Sequence, residues 1–170
     1  MASHLAEMAL RKKIAAKSDG YYADTQALGE LAWHAFGERS KSQIRNLESI
    51  ANTATRVADI LDFIKKQTGR SRPERQWRYR DFGPTLLEKF DRVLRKDSQV
   101  ICESVQGEVK DAQIEDDDQR QMHILLCREF IRHVSAHYIY RGVSGGINLK
   151  DLLKEAELSE NENDDRNDIP

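Results

Sequence analysis

The sequence predicts an all-α protein: a compact bundle of about five to six helices followed by a disordered acidic tail. Three observations carry that expectation. Apolar residues recur at steps of three and four in most segments, the spacing of one helix face. Gly and Pro are scarce, and no β-branched alternation extends beyond a few residues. A third of the 170 residues are charged and few are aromatic, which suits exposed helices better than a sheet. The length fits a single core.

Residues 2–17 read as a first helix with Leu5, Met8, Ala9 and Ile14 on one side, broken at Ser18-Asp19-Gly20. Asp24 or Thr25 caps a second helix, which buries Leu28, Leu31, Ala32 and Trp33 and stops at Gly37. The central expectation is one long helix from Ser40 to Gly69. One apolar row runs Ile44, Leu47, Ala51, Ala54, Ala58, Leu61, and a second, Ile50, Val57, Ile60, Ile64, widens it. The opposite face carries Lys41, Arg45, Ser49, Asn52, Arg56, Asp59 and Lys66. Phe63 falls among these polar residues and is expected to touch another element. Ser40 and Gln43 fit a capping box, and Gly69 fits a left-handed stop.

Beyond Gly69 the chain reads RSRPERQWRYRDFGP, a loop or short helix dense in arginine. Gly83-Pro84 starts a helix with Leu86, Leu87, Phe90, Val93 and Leu94 on its apolar face. Residues 98–114 form another, with Val100, Ile101, Val105 and Val109, interrupted near Gly107. Asp116-Asp117-Asp118 suits the positive end of a last long helix, about 118–141. Its apolar residues are Ile124, Leu126, Cys127, Phe130, Ile131, Val134 and Tyr138, and Gly142 ends it. This partitions the chain into an N-terminal helical extension (1–38), a bundle core (39–142), a short helix within 143–158, and an acidic tail (159–170) with nothing to bury.

The formal charge of −2 conceals an asymmetry: residues 155–170 carry −6, so the rest is +4. Cys102 and Cys127 show neither disulfide nor zinc spacing, no secretion signal opens the chain, and no apolar run reaches the ~20 residues of a membrane span. A soluble cytoplasmic protein without membrane contact is expected. No phosphate-cradling glycine loop, dinucleotide fingerprint or serine-hydrolase elbow is present, and no cofactor is expected.

The strongest chemical feature lies between Lys65 and Arg80. Lys65, Lys66, Arg70, Arg72, Arg75, Arg78 and Arg80 face one acid, Glu74, with Trp77 and Tyr79 interleaved. Guanidinium forks pair with phosphate oxygens and aromatic faces accept bases, so the segment suits an RNA backbone or single strand. Five arginines in eleven residues repel one another unless something offsets them. Packing into the bundle is the simpler role for Trp77 alone. A different chemistry is suggested by two R-x4-H patterns, Arg128–His133 and Arg132–His137. The second, RHVSAH, matches the signature of HEPN-type helical ribonucleases, in which Arg and His meet at a scissile phosphate. His133 and His137 with Glu129 share a helix face, but no further ligand cluster accompanies them and no metal site is expected.

Ser40-Lys41-Ser42-Gln43-Ile44-Arg45-Asn46-Leu47 resembles the T-T/S-S-Q-I/L-R opening of the small subunit of type III CRISPR effector complexes, the Csm-type. Ile64 through Arg70 is similar to that family's helix ending in Gly-Arg. Tyr79-Arg80-Asp81-Phe82, with Leu86-Leu87-Glu88-Lys89 and Val93-Leu94, resembles its DF–LL–KVL helix. Phe130 through Tyr140, ending at Gly142, is similar to its closing aromatic helix. The likeness spans Arg39 to Gly142. It implies a non-catalytic helical subunit of a ribonucleoprotein in antiviral defence, stacking in several copies against backbone and large subunits and contacting guide and target RNA. Arg45 falls on the family's motif arginine, Arg70 on its Gly-Arg element, and Lys41 where the family has Thr or Ser. Residues 1–38, the arginine loop, 98–117 and the acidic tail are additional, as in a divergent subtype. The RNA-contacting residues expected on both grounds are Lys41, Arg45, Arg56, Lys65, Lys66, Arg70, Arg72, Arg75, Trp77, Arg78 and Arg80. The alternative is a ribonuclease using Arg132 and His137.

Overall fold

A computed structural model of the chain describes residues 4–110 and 112–143. The expectations for a short helix within 143–158 and for the tail fall almost wholly outside them. The regular elements among the described residues are all helical, with no strand: α1 (His4–Asp19), α2 (Tyr22–Phe36), α3 (Ser42–Thr53), α4 (Val57–Arg70), a 3-10 segment (Gln76–Asp81), α5 (Phe82–Glu88), a π-helical segment (Lys89–Leu94), α6 (Arg95–Glu108) and α7 (Asp116–Val143). The residues joining α5, the π segment and α6 keep right-handed helical angles, so 82–108 is one rod with a π turn inside it. The helical bundle expected from the sequence is therefore present.

α7 is the axis on which the others pack, and at ~1.5 Å per residue it is about 42 Å long. Three aspartates open it, and Asp118 Oδ2 accepts the Glu115 backbone N–H at 3.0 Å, satisfying one donor at the positive end. Every apolar residue expected to face the core is buried, from Ile124 to Tyr138. Gly142 does not end the helix but lies within it, where an added Cβ would fall 2.7 Å from the Trp33 ring. α2 comes closest. A Cβ on Gly29 would sit 2.4 Å from His137 Cβ and 2.9 Å from the Val134 carbonyl, so glycine sets that separation. Gly37 does terminate α2, at φ 58°, and Tyr138 donates its hydroxyl to the Gly37 carbonyl at 2.6 Å.

The single long helix expected over Ser40–Gly69 is two helices, α3 and α4. Ala54 and Arg56 adopt extended ψ angles between them. The cause comes from α7. Arg128 Nε donates to the Ala51 carbonyl at 2.9 Å, and a terminal guanidinium nitrogen donates to the Ala54 carbonyl at 2.8 Å. These bonds satisfy carbonyls that a continuing helix would have used, so the chain turns there at little cost. The break resets the phase: Ile60, Leu61 and Ile64 are buried in α4, whereas Ala58 is exposed. Neither expected terminus forms. Gln43 accepts the indole N–H of Trp77 instead of closing a capping box, and α4 runs past Gly69 to Arg70, where Ser71 Oγ donates to the Gln67 carbonyl.

Two other expectations change. α1 buries Ala6, Leu10 and Ile14, leaving Leu5 and Met8 exposed, because the face that meets α6 and α7 is rotated from the one the spacing suggested. Residues 98–108 continue the rod from 82 without a break and expose Val100. The π turn has a visible consequence. It widens the ladder near Phe90, whose carbonyl meets buried His123 Nε2 at 2.7 Å. Phe90 and Tyr21 both pack edge-on against Phe130, linking this turn and α2's start to α7. Tyr21 also donates a short hydrogen bond to Asp97, whose other oxygen holds Lys17 at 2.9 Å.

Two outcomes follow for stability. Arg128→Ala strands two carbonyls and should cost about 2–3 kcal/mol in urea denaturation. Burial holds the His123 imidazole below its ordinary pKa. Stability linked to it is therefore complete above the unfolded value near 6.5 and lost as pH falls through the lower folded one. The melting temperature should drop between about pH 7 and 5, and drop less in His123→Gln, which keeps an N–H for the Phe90 carbonyl.

Candidate nucleic-acid interface

The basic residues fall into two groups once ion pairs are considered. Lys41 pairs with Glu38 at 2.8 Å, Arg56 with Asp59 at 2.7 Å and Lys65 more loosely with Asp62 at 3.7 Å. The Arg56–Asp59 pair raises the arginine's pKa and lowers the carboxyl's, mainly through their mutual hydrogen bond. These pairs are solvent-exposed and contribute little to stability. In contrast, Arg45, Lys66, Arg70, Arg72, Arg75, Arg78 and Arg80 are exposed and form no ion pair among the described residues. Elsewhere cations usually have partners: Lys13 with Glu108, Lys89 with Asp24, Arg92 with Glu88, Arg95 with Asp91, Arg141 with Glu30. The unneutralised charge is concentrated at the end of α4 and in the segment after it.

That segment is held by its one large apolar side chain. Trp77 is 0 % exposed, so it is a core residue and not the RNA-stacking ring that the interleaved pattern suggested. Its ring lies 5.4 Å from that of Phe36, 5.8 Å from Phe63 and 5.6 Å from Phe82, and its N–H donates to Gln43 Oε1 at 2.9 Å. α2, α3, α4 and α5 each contribute one of these partners. Phe63, the apolar exception on α4's polar side, thus has its partner. Gly83 permits the same closure, since a Cβ there would lie 2.1 Å from Thr68 Oγ1 and 2.9 Å from the Trp77 carbonyl.

On either side of this anchor the backbone is forced. Glu74, Gln76, Arg80 and Asp81 all have φ between 43° and 58°, a left-handed region that costs L-residues about 1 kcal/mol or more each. Burial of Trp77 holds the segment in this path. The result is an open cleft of about 620 Å³ between the C-terminal end of α2, the Gly37–Lys41 turn, the end of α4 and the arginine segment. Arg70, Arg72 and Arg75 line it together with Glu74, Tyr79 and His34. Arg80 sits with its guanidinium carbon 5.6 Å from the Tyr79 ring centroid, a cation–π contact that helps orient the half-buried ring. The arginines are legible in the sequence; Glu74's left-handed backbone and the contribution of His34 and Ser40, which lie far earlier in the chain, are not.

The R-x4-H residues are dispersed. Arg128 is committed to the α3 carbonyls, and Arg132 is exposed and ion-paired with Glu129. His137 packs edge-on to Tyr22 with ring centroids 4.9 Å apart, and burial followed by nearby His133 lowers its pKa. Five residues along a helix place Arg132 and His137 about 140° apart around α7. Both cysteines are buried free thiols. Burial raises Cys102 to about 11 and pushes Cys127 up further, so neither is a ready nucleophile.

No helix among the described residues is long and apolar enough to cross a membrane. No protein-family profile, curated protein or solved structure matches the chain.

Proposed function

We propose that this protein is a non-catalytic RNA-binding subunit of a ribonucleoprotein assembly, the small subunit of a type III CRISPR effector. The observation that carries the reading is the row of cations without ion-pair partners among the described residues, Arg45 on α3 and the basic residues from Lys66 to Arg80 beyond it, on a bundle where most other described cations have a carboxylate partner. Such cations lower their mutual repulsion by engaging phosphates and releasing counterions. The likeness of Ser40–Leu47 and of the later segments to the CRISPR small subunit agrees with this role. In it the chain would contact guide and target RNA in the cytoplasm as part of antiviral defence. Lys41, Arg56 and Lys65 would exchange weak local carboxylate pairs for phosphate, whereas Arg45, Arg70 and their neighbours exchange nothing. Recognition would follow backbone shape and charge, since phosphate contacts carry no sequence information.

Apolar side chains at the surface suit packing against other copies and against backbone or large subunits. Leu5 and Met8 on α1, Val93 and Val100 on the 82–108 rod, and Ile139 and Tyr140 on α7 are all exposed. An assembly of this kind needs no active site in the subunit, and the proposal assigns it none.

Replacing Arg45 and Arg70 together by Ala should weaken RNA retention by the purified assembly about tenfold or more, taking each cation–phosphate contact at about 1 kcal/mol, while leaving the melting temperature within a degree or two. Unchanged retention at low salt would sink the proposal. Labelled RNA separates it from the ribonuclease alternative. Cleavage that disappears in His137→Ala would favour catalysis by the Arg132–His137 pair, and intact RNA would favour the structural subunit.

A further inference from the structure

The arginine cleft has a composition that a general backbone contact does not require. Three guanidinium groups, Arg70, Arg72 and Arg75, share one concavity with a single carboxylate, Glu74, and a half-buried ring, Tyr79. Glu74 stands between Arg72 and Arg75 in the chain, yet it forms no ion pair among the described residues. Its left-handed backbone, φ 55°, is part of the path imposed by buried Trp77. A cleft serving only as an anion trap would be better without this acid, because a carboxylate repels phosphate. The acid becomes useful if the ligand also brings hydroxyl donors.

The volume, about 620 Å³, lies in the range of clefts that enclose a small organic ligand, more than a bare phosphate needs. We propose that this cleft takes one ribonucleotide unit of a single-stranded RNA: its phosphate on Arg70, Arg72 and Arg75, its ribose 2′-hydroxyl donating to Glu74, and its base against Tyr79. The inference rests on the RNA-binding reading above and makes it specific. The 2′-hydroxyl is the group that distinguishes RNA from DNA at a single site, and an ionised carboxylate is its strongest acceptor. Aromatic rings accept any base, so the site discriminates sugar without selecting sequence. An acidic peptide would satisfy the arginines but would meet repulsion from Glu74 and offer it no hydroxyl.

The test is a titration of the full chain, at low salt, with a single-stranded RNA and with the DNA of the same sequence. RNA should bind about tenfold more tightly, the worth of one charge-assisted hydrogen bond. In Glu74→Ala the preference should collapse through weaker RNA binding, with DNA unchanged or slightly tighter. Arg72→Ala should weaken both strands alike and keep the ratio. Glu74 is exposed and makes no hydrogen bond among the described residues, so its replacement leaves the bundle intact. Equal binding of RNA and DNA by the native chain would overturn the inference and spare the general RNA-binding role. So would Glu74→Ala tightening both strands, which would identify the carboxylate as a repulsive charge or as part of a peptide site. Binding of neither strand would overturn both.

Discussion

Burial of Trp77 is the contact from which the arrangement of the basic face follows. Five arginines in eleven residues would leave a free loop expanded by its own charge. An indole fully removed from water, seated on Phe36, Phe63 and Phe82 and hydrogen-bonded to Gln43, ties that loop to four helices at once. A large aromatic of this kind contributes several kcal/mol, roughly 3–5 on removal. That offsets a large share of the cost of four left-handed residues and of the repulsion between neighbouring guanidiniums, and the rest of the core supplies the remainder. The stability of the core thereby holds the charges in a fixed geometry.

α7 performs the corresponding service for the bundle. Its inward side chains form the core, Gly29 lets α2 approach it closely, and Arg128 turns the backbone between α3 and α4. The arginine of the first R-x4-H pattern is thus a cap for two carbonyls. Arg132, four residues on, faces solvent beside Glu129. The positions of Arg and His in a sequence do not distinguish these uses; the partner helix does.

What could be read from the sequence was what depends on local periodicity. α7 shows its apolar rows and its aspartate start openly, and Gly37 announces the end of α2. The break after Thr53 was hidden because its cause, Arg128, lies 77 residues beyond Ala51 in the chain, and the apolar rows on either side match a continuous helix well. α1 carries apolar residues on two faces, so spacing alone could not choose between Leu5–Met8 and Ala6–Leu10. The basic residues of the site were legible as charge. Their cleft was not, since left-handed angles at Glu74, Gln76, Arg80 and Asp81 have no glycine or asparagine to signal them. Packing is the simpler sequence reading for Trp77, and the fold supplies the three aromatic neighbours that no local pattern shows.

The surface that results has cations unpaired among the described residues around the arginine cleft, one carboxylate with them, and exposed apolar residues on other helices. In the proposed function these arginines meet RNA phosphates directly. The salt dependence of RNA affinity measures this most directly, because each phosphate neutralised on a single strand adds about 0.7 to the slope of log K against log salt. Successive removal of Arg70, Arg72, Arg75, Arg78 and Arg80 should flatten that slope stepwise, with no matching change for paired Arg92 and Arg95 on the 82–108 rod. A slope indifferent to all five arginines, or equally sensitive to the paired ones, would show that these guanidiniums do not meet phosphate.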